Sequence, residues 1–394
     1  MTSTPYKLMW TGVITAGVAA AATACTSWMI HPSATASGRM FVQKCRDSRV
    51  TPLTADIRRT RHGVKWMRIG MFKNAALFAV NERGIVAFMN DGDPMTTLHA
   101  NIRLPEINHS RTWICCAEEM RQIMDESRTA EQATRLVLHY GRNRLQSGHG
   151  GTMFIADAKR GFMIDIGPDY AEAKELTGGL IIITNCMHLP GNEPLSKQSV
   201  GAMRGDRSRE ANVRKELKKR RVNGKYTVLG TIETSRLRCR TEMQGKNPCR
   251  RNSLGGCGFE IDPEFPAQLT TAYIALGPQQ HTVYLPTPMA LEQFPKEIID
   301  GSWADMAYKL REAVGYDHKY LARFAEFERR ILPEYDRVRE EARQLLKAGK
   351  KAEAVKLLNE CYARQYAEAM RLLKEIAADA AANPPQGEKI PAAV

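Results

Sequence analysis

The chain has 394 residues, 43% of them hydrophobic and 25% charged, with 29 Gly and 19 Pro. This balance excludes a mainly disordered, collagen-like or coiled-coil chain and leaves length for one large domain or two ordinary ones. With 57 Lys and Arg against 43 Asp and Glu, the formal charge is +14, which favours anionic partners or surfaces and is silent about fold.

The first 24 residues read as a signal peptide. Lys7 supplies the positive start, Leu8 to Ala22 are apolar with only Thr and Gly between, and Ala22-Thr23-Ala24 has the small-x-small pattern of a cleavage site. An uncleaved N-terminal anchor is the alternative. The expected mature protein carries no stable membrane span, is secreted or periplasmic, and begins at Cys25. A lipid-modified cysteine and a nucleophilic one both need that position. The box before Cys25 lacks the usual lipoprotein Leu at Ala22, and Thr26–Ile30 reads as a strand entering a core, which favours the nucleophile.

Short strands dominate up to about residue 290. Ala75–Val80 and Ile85–Met89 flank the turn Asn81-Glu82-Arg83-Gly84, and Met153–Ala156 and Phe162–Ile166 flank Asp157–Gly161, giving two hairpins. Leu180–Thr184 is a continuous apolar run, as expected of a strand buried on both faces. A third hairpin is expected from Thr271–Leu276 and His281–Leu285. Helices are expected over Trp113–Glu126 and from Thr129, where Thr129 and Gln132 form a capping box. Residues 204–221 carry nine Lys or Arg against three acidic residues, on a helix with Ala211, Val213 and Leu217 as its apolar stripe. No aromatic interleaves with these charges, so the stretch reads as a solvated face and no nucleic-acid partner is expected. From Ser302 to Ala381 the pattern is helical, with Val355, Leu358, Tyr362, Tyr366, Ala369, Leu373 and Ile376 on one face and breaks at Pro333 and Gly349. The expected organisation is a signal peptide over 1–24, a main domain over 25–300, a helical C-terminal extension over 301–382 and a frayed tail over 383–394. Grouped strands and helices make the fold class α+β.

The nine cysteines show no CxxC knuckle and the histidines no HExxH pairing, so no metal site and no cofactor is expected. A disulfide among Cys239, Cys249 and Cys257 is expected in an oxidising compartment, while Cys115-Cys116 read as buried in a helix. The Gly255-Gly256-Cys257-Gly258 run opens no helix and is not read as a phosphate loop.

The segment from Cys25-Thr26, through the Gly38 turn, to Lys44-Cys45-Arg46-Asp47 resembles the start of the N-terminal-nucleophile (Ntn) cysteine hydrolases. These include choloylglycine hydrolases, penicillin V hydrolases and 6-aminopenicillanate acyltransferases. Lys44 stands where the family has Arg and Cys45 where it has Asn. Asn81-Glu82-Arg83-Gly84-Ile85, then Phe88-Met89-Asn90, the Phe154–Asp165 hairpin, Thr184-Asn185 and Ser208-Arg209 resemble later family motifs in order, covering residues 25–290. The resemblance implies an αββα sandwich with catalytic Cys25, Asp47, Asn90, Asn185 and Arg209, and with Lys44 contacting substrate. Arg214 rivals Arg209. It also implies hydrolysis of a linear amide, such as an acyl amino acid or short peptide, or acyl transfer from one. Whether the protein forms a homo-oligomer is left open. The chemistry needs no histidine, because the free α-amino group of an N-terminal cysteine, with a pKa of about 7.7–8.0, can take the thiol proton.

Overall fold

The computed structural model describes residues 25–47, 52–71, 76–91, 116–142, 151–166, 171–189, 200–238, 247–250 and 252–383. The signal segment, the last residues of the tail, Trp113, Cys115 and Cys239 lie outside them.

Two antiparallel sheets face each other. The first contains β1 (Thr26–Ile30), β2 (Met40–Asp47), β10 (Leu180–Ile183), β11 (Ser253–Ile261), β12 (Thr271–Leu276) and β13 (Leu285–Pro288), in the order β10-β1-β2-β11-β12-β13. The second is a meander of seven strands in chain order: β3 (Thr54–Arg59), β4 (Lys65–Gly70), β5 (Phe78–Asn81), β6 (Val86–Asp91), β7 (Gly151–Ala156), β8 (Gly161–Ile166) and β9 (Ala171–Glu175). Strand alternation sends one set of side chains into the space between the sheets. Met29, Val42, Phe78, Val80, Phe88, Phe154 and Met163 share that core, and the Phe88 and Phe154 rings meet edge to face, 5.6 Å between centroids. The sheets approach closely enough that a side chain at Gly161 would strike Met29.

Helices cover both outer surfaces. Helices α1 (Cys116–Glu126) and α2 (Ala130–Arg142) lay Met120, Ile123, Met124, Ala133 and Val137 on Ala79, Ala87, Ile155 and Ile164 of the meander. Thr129 accepts from the Gln132 amide at 3.1 Å, while the Gln132 side chain returns to Arg128 N–H, one residue earlier than a standard capping box. Against the first sheet lie α3 (Val200–Lys219), α4 (Val228–Ser235), α5 (Ser302–Val314), α6 (His318–Lys347) and α7 (Lys351–Ala382). The αββα layering expected from the sequence is the layering observed.

Several expectations change in detail. The first two hairpins form as expected, but β10 is the edge strand of its sheet among the described residues, with Leu180 and Ile181 only half-buried. The return strand of the third hairpin is Leu285–Pro288, later than expected, with Leu285 opposite Ile274. On α3 the buried stripe is Arg209, Val213 and Leu217 at four-residue steps, whereas Ala211 is exposed. Pro333 does not break a helix: it sits inside the 30-residue α6, where the buried Ile331, Leu332 and Tyr335 hold the backbone against the cost of one lost hydrogen bond. Gly349, at φ 76°, does separate α6 from α7.

No disulfide joins Cys249 to Cys257. Cys257 pairs with Lys44 across the β11–β2 ladder and so points between the sheets. Cys249 instead acts electrostatically on Cys45, the neighbour of Lys44 on the opposite face.

The C-terminal helices belong to the same apolar core as the sheets, through Trp303, Leu310, Phe324 and Leu373. Buried ion pairs fix them. Arg236 pairs with Glu328 of α6 and donates to the Thr282 carbonyl at 2.7 Å, and Glu328 also accepts the Tyr284 amide at 2.6 Å. Arg339 and Arg343 of α6 pair with Glu260 and Asp262 at the end of β11.

The glycine-rich stretch of β11 has a packing role. A methyl group at Gly256 would collide with the hydroxyl of Tyr284, which is held by Ser235 at 2.8 Å, and one at Gly258 would collide with Gln43 and Phe41. Gly256→Ala should therefore destabilise the protein by about 1–3 kcal/mol in denaturant titration.

His281 is fully buried and bonds through Nε2 to the Gly315 carbonyl at 2.6 Å. Burial, reinforced by Arg311, Arg236 and Arg238 and opposed by the bond to Gly315, lowers its pKa to about 3. Below the unfolded value of about 6.5, the unfolded chain takes up a proton that the folded protein refuses. Stability should fall progressively as pH drops from there towards about 3. Urea midpoints should show a shallower fall over this range for His281→Asn than for the wild type.

Candidate active site

Cys25 immediately precedes β1, and its side chain is fully buried. The ladder pairs Thr26 with Cys45 and Ser27 with Lys44, so Cys25 lies opposite Arg46 on the face that looks towards the second sheet. Arg46 Nη1 donates to Cys25 Sγ at 3.1 Å. This sets a guanidinium in hydrogen-bond contact with the sulfur.

Two residues along the same face, Ser27 donates to Asn90 Oδ1 across the gap between the sheets, at 2.7 Å. Asn90 Nδ2 donates to the Thr184 carbonyl at 3.0 Å and, more weakly, to that of Ile183 at 3.4 Å. One amide thus ties β1, β6 and the end of β10 together, its oxygen and nitrogen assigned by their partners. Asn185 follows, and its Oδ1 accepts from Arg209 at 3.4 Å. Arg209 is completely buried and also pairs with Asp206 at 2.5 Å. Of the two rival arginines, Arg209 is the one that reaches Asn185; Arg214 instead donates to the Leu180 carbonyl at the start of β10, at 3.2 Å.

Asp47 ends β2 on the opposite face, fully buried. Its Oδ1 accepts from Ser253 at 2.5 Å; Oδ2 has no hydrogen-bond partner among the described residues and only a distant ion pair, 3.9 Å, with Arg250. Burial raises the Asp47 pKa from its ordinary value, against the pull of Arg250, Ser253, Arg209 and Arg46. Next to it, burial and the Asp47 carboxylate push the Cys45 thiol well up. Cys45 is therefore held as an unreactive thiol.

Lys44, expected to contact substrate, is engaged within the protein. It is fully buried between the sheets, its ammonium donating to the Met89 carbonyl and lying 5.5 Å from the Phe78 ring centre and 6.0 Å from that of Phe88. The basic group at the thiol is Arg46, two positions on and on the same face. Motif matching stopped at Lys44; counting the ladder register from Cys25 would have reached Arg46, but that register needs the length of the β1–β2 connection. Ser27, Ser253 and Arg250 were likewise missed, because each acts through pairing between distant segments.

A second polar cluster lies beyond Asn185. Cys186 Sγ is 3.8 Å from His188 Nε2 and 3.9 Å from Glu210 Oε1, and that oxygen is 2.7 Å from the same ring nitrogen. Burial would lower the His188 pKa, but its hydrogen bonds to Cys186 and Glu210 prevail and raise it to about 10. The expectation of no metal-ligating group rested on CxxC and HExxH spacing; Cys186-Met187-His188 with Glu210 has neither.

No protein-family model matches the chain, and no curated protein matches it in sequence. Among solved structures, a mutant of conjugated bile acid hydrolase from Clostridium perfringens is 9% identical over 42% of this chain and 54% of that one, with a TM-score of 0.31. The chain thus spans about half the length of that protein. Penicillin V acylase from Agrobacterium tumefaciens is 10% identical over 64% of this chain and 84% of its own, with a TM-score of 0.34.

If Arg46 stabilises the sulfur as an anion, Arg46→Gln should slow alkylation of Cys25 by iodoacetamide at neutral pH, read by peptide mass mapping. An unchanged rate would show that the contact does not govern reactivity.

Proposed function

We propose that removal of residues 1–24 produces a secreted or periplasmic amidohydrolase whose nucleophile is the Cys25 thiolate and whose base is the α-amino group of the same residue. The observation that carries this reading is the pairing of Cys25 with Arg46 at the head of β1, with Asp47 Oδ2, free of hydrogen bonds among the described residues, one step further along β2. Asp47 lies two residues beyond Cys45, the ladder partner of Thr26, so this oxygen suits the ammonium that a free Cys25 nitrogen becomes.

The thiol proton passes to the α-amine, and the thiolate, steadied by Arg46, attacks the carbonyl carbon of a linear amide. The substrate oxygen takes the negative charge, and Asn90 is the donor proposed for it, through the Nδ2 hydrogen that now makes only the 3.4 Å contact with Ile183. Collapse breaks the C–N bond, and the α-ammonium returns its proton to the leaving amine. Water then hydrolyses the thioester; an acceptor amine in its place would make the protein an acyltransferase. Asn185, fixed by Arg209, frames the site beside Asn90. The substrate class is an acyl amino acid, short peptide or related acyl amide.

A protein beginning at Cys25 should turn over such amides and accumulate a thioester adduct on Cys25 in rapid-quench mass spectrometry. Cys25→Ser should lose most turnover while keeping its unfolding midpoint, and residues retained ahead of Cys25 should abolish activity, because an acylated nitrogen is no base. Equal activity with and without those extra residues would reject the mechanism. Lipid on Cys25 in the intact mass would replace the reading with that of a lipid-anchored binding protein.

Asn90→Ala should lower kcat by about 10²–10³-fold, as loss of one oxyanion donor does. It should also destabilise the protein, since Ser27 and Thr184 lose a buried partner. Stability therefore cannot separate its two roles. A kcat no more affected than that of a variant at Ser27 would reduce Asn90 to a brace.

A further inference from the structure

Three side chains outside the catalytic reading converge on one point. Cys186 and His188 come from the segment that leaves β10, and Glu210 from α3. Sγ, Nε2 and Oε1 lie within 3.9 Å of one another. A proton relay would place thiol and carboxylate on opposite nitrogens of the imidazole. Here both address Nε2, so the cluster is not a second nucleophile with its base.

The demands on Nε2 also conflict. Glu210 Oε1, 2.7 Å away, asks that nitrogen to donate, while the Thr184 amide N–H, 3.3 Å away, points at it and asks it to accept. A metal ion among the three atoms would let carboxylate and ring nitrogen face one centre without a shared proton, because a carboxylate oxygen, a thiolate and an imidazole lone pair are all electron-pair donors. The Thr184 amide would give up its 3.3 Å contact with that nitrogen. Tetrahedral zinc, with bonds of about 2.0–2.3 Å, separates such ligands by about 3.4–3.6 Å. The sulfur needs to move in, and the ring and carboxylate to part, by less than about 1 Å.

The surroundings suit this role. His188 Nδ1 faces the Thr152 hydroxyl at 3.4 Å; that hydroxyl donates to Asp165 Oδ1 at 2.7 Å, and Asp165 Oδ2 accepts the His188 and Leu189 amides at 2.8 and 2.7 Å. Outer groups of this kind fix the ring that binds a metal. Arg207 occupies the other oxygen of Glu210 at 3.2 Å, and Oε1, turned inward, also accepts from the Thr184 hydroxyl at 2.9 Å. Cys186 is 5% exposed, and the Glu210 side chain 14%, which leaves a path for a fourth ligand such as water.

We infer that Cys186, His188 and Glu210 form a binding site for a borderline-soft divalent metal ion, zinc by donor set. This assignment is independent of the reaction proposed for Cys25.

The test is cobalt(II) added to the metal-free full chain. The expected result is about one ion bound per chain, with the near-ultraviolet thiolate-to-cobalt band and the intense visible bands of tetrahedral coordination. Zinc should displace the cobalt and raise the unfolding midpoint. Both signals should survive Cys25→Ser and disappear in Cys186→Ser. Glu210→Gln, at a partly exposed position, gives a second variant should Cys186→Ser fail to fold, and it should weaken binding. Thr152→Val should weaken zinc binding by about 10–100-fold while keeping the cobalt band. Absence of stoichiometric binding, or a band that survives both Cys186→Ser and Glu210→Gln, would overturn the assignment.

Discussion

The site depends on a single amide that crosses between the sheets. Asn90 belongs to the seven-stranded meander, yet its side chain bonds to the other sheet and to the segment leaving it: Ser27 of β1, and the carbonyls of Ile183 and Thr184. The rest of the space between the sheets is largely apolar and sets a separation without fixing a lateral position. Hydrogen bonds are directional, so this bridge supplies what packing does not. It places β1 and the Thr184-Asn185 corner in one frame, and with them Cys25, Arg209 and the cluster beyond. The basic counterpart is Lys44, whose charge is buried against the carbonyl of Met89, the neighbour of Asn90.

The layered architecture was legible in the sequence because it rests on local signals. Alternating apolar residues around Gly and Asn turns marked the first two hairpins, and three- and four-residue spacing marked α7. What escaped was whatever depends on which strand lies beside which. Leu180–Ile183 has the composition of an interior strand but occupies an edge, and no property of the run itself distinguishes the two. Arg209 has the composition of a solvated helix and is completely buried, because Asn185 and Asp206 satisfy its charge. Pro333 is a breaker by local rule and stands inside α6, because tertiary contacts along a 30-residue helix outweigh one missing bond.

The candidate site divides along the same line. Cys25 was visible from its place after a small-x-small motif, and Asn90, Asn185 and Arg209 from their order in a resemblance. The structure connects them through Thr184 and the 185–209 contact. Lys44 and Arg46 show where motif reading falls short: a strand carries both to the same face, and only the pairing of β2 with β1 decides which of them meets the sulfur. The disulfide expectation failed for a related reason. Nearness in sequence brought Cys249 and Cys257 together on paper, but β11 carries Cys257 into the space between the sheets while Cys249 lies before the strand begins.

The ladder of β1 begins at Thr26, one residue after the cysteine. A cut before Cys25 therefore removes no rung from the central part of the sheet, and β1 has no structural reason to change. In the proposed reading that cut is a deprotection: one acyl group leaves one nitrogen, and an inert peptide link becomes an amine. Such a cut would change the chemistry at a single atom, whether the sheets form before it or after.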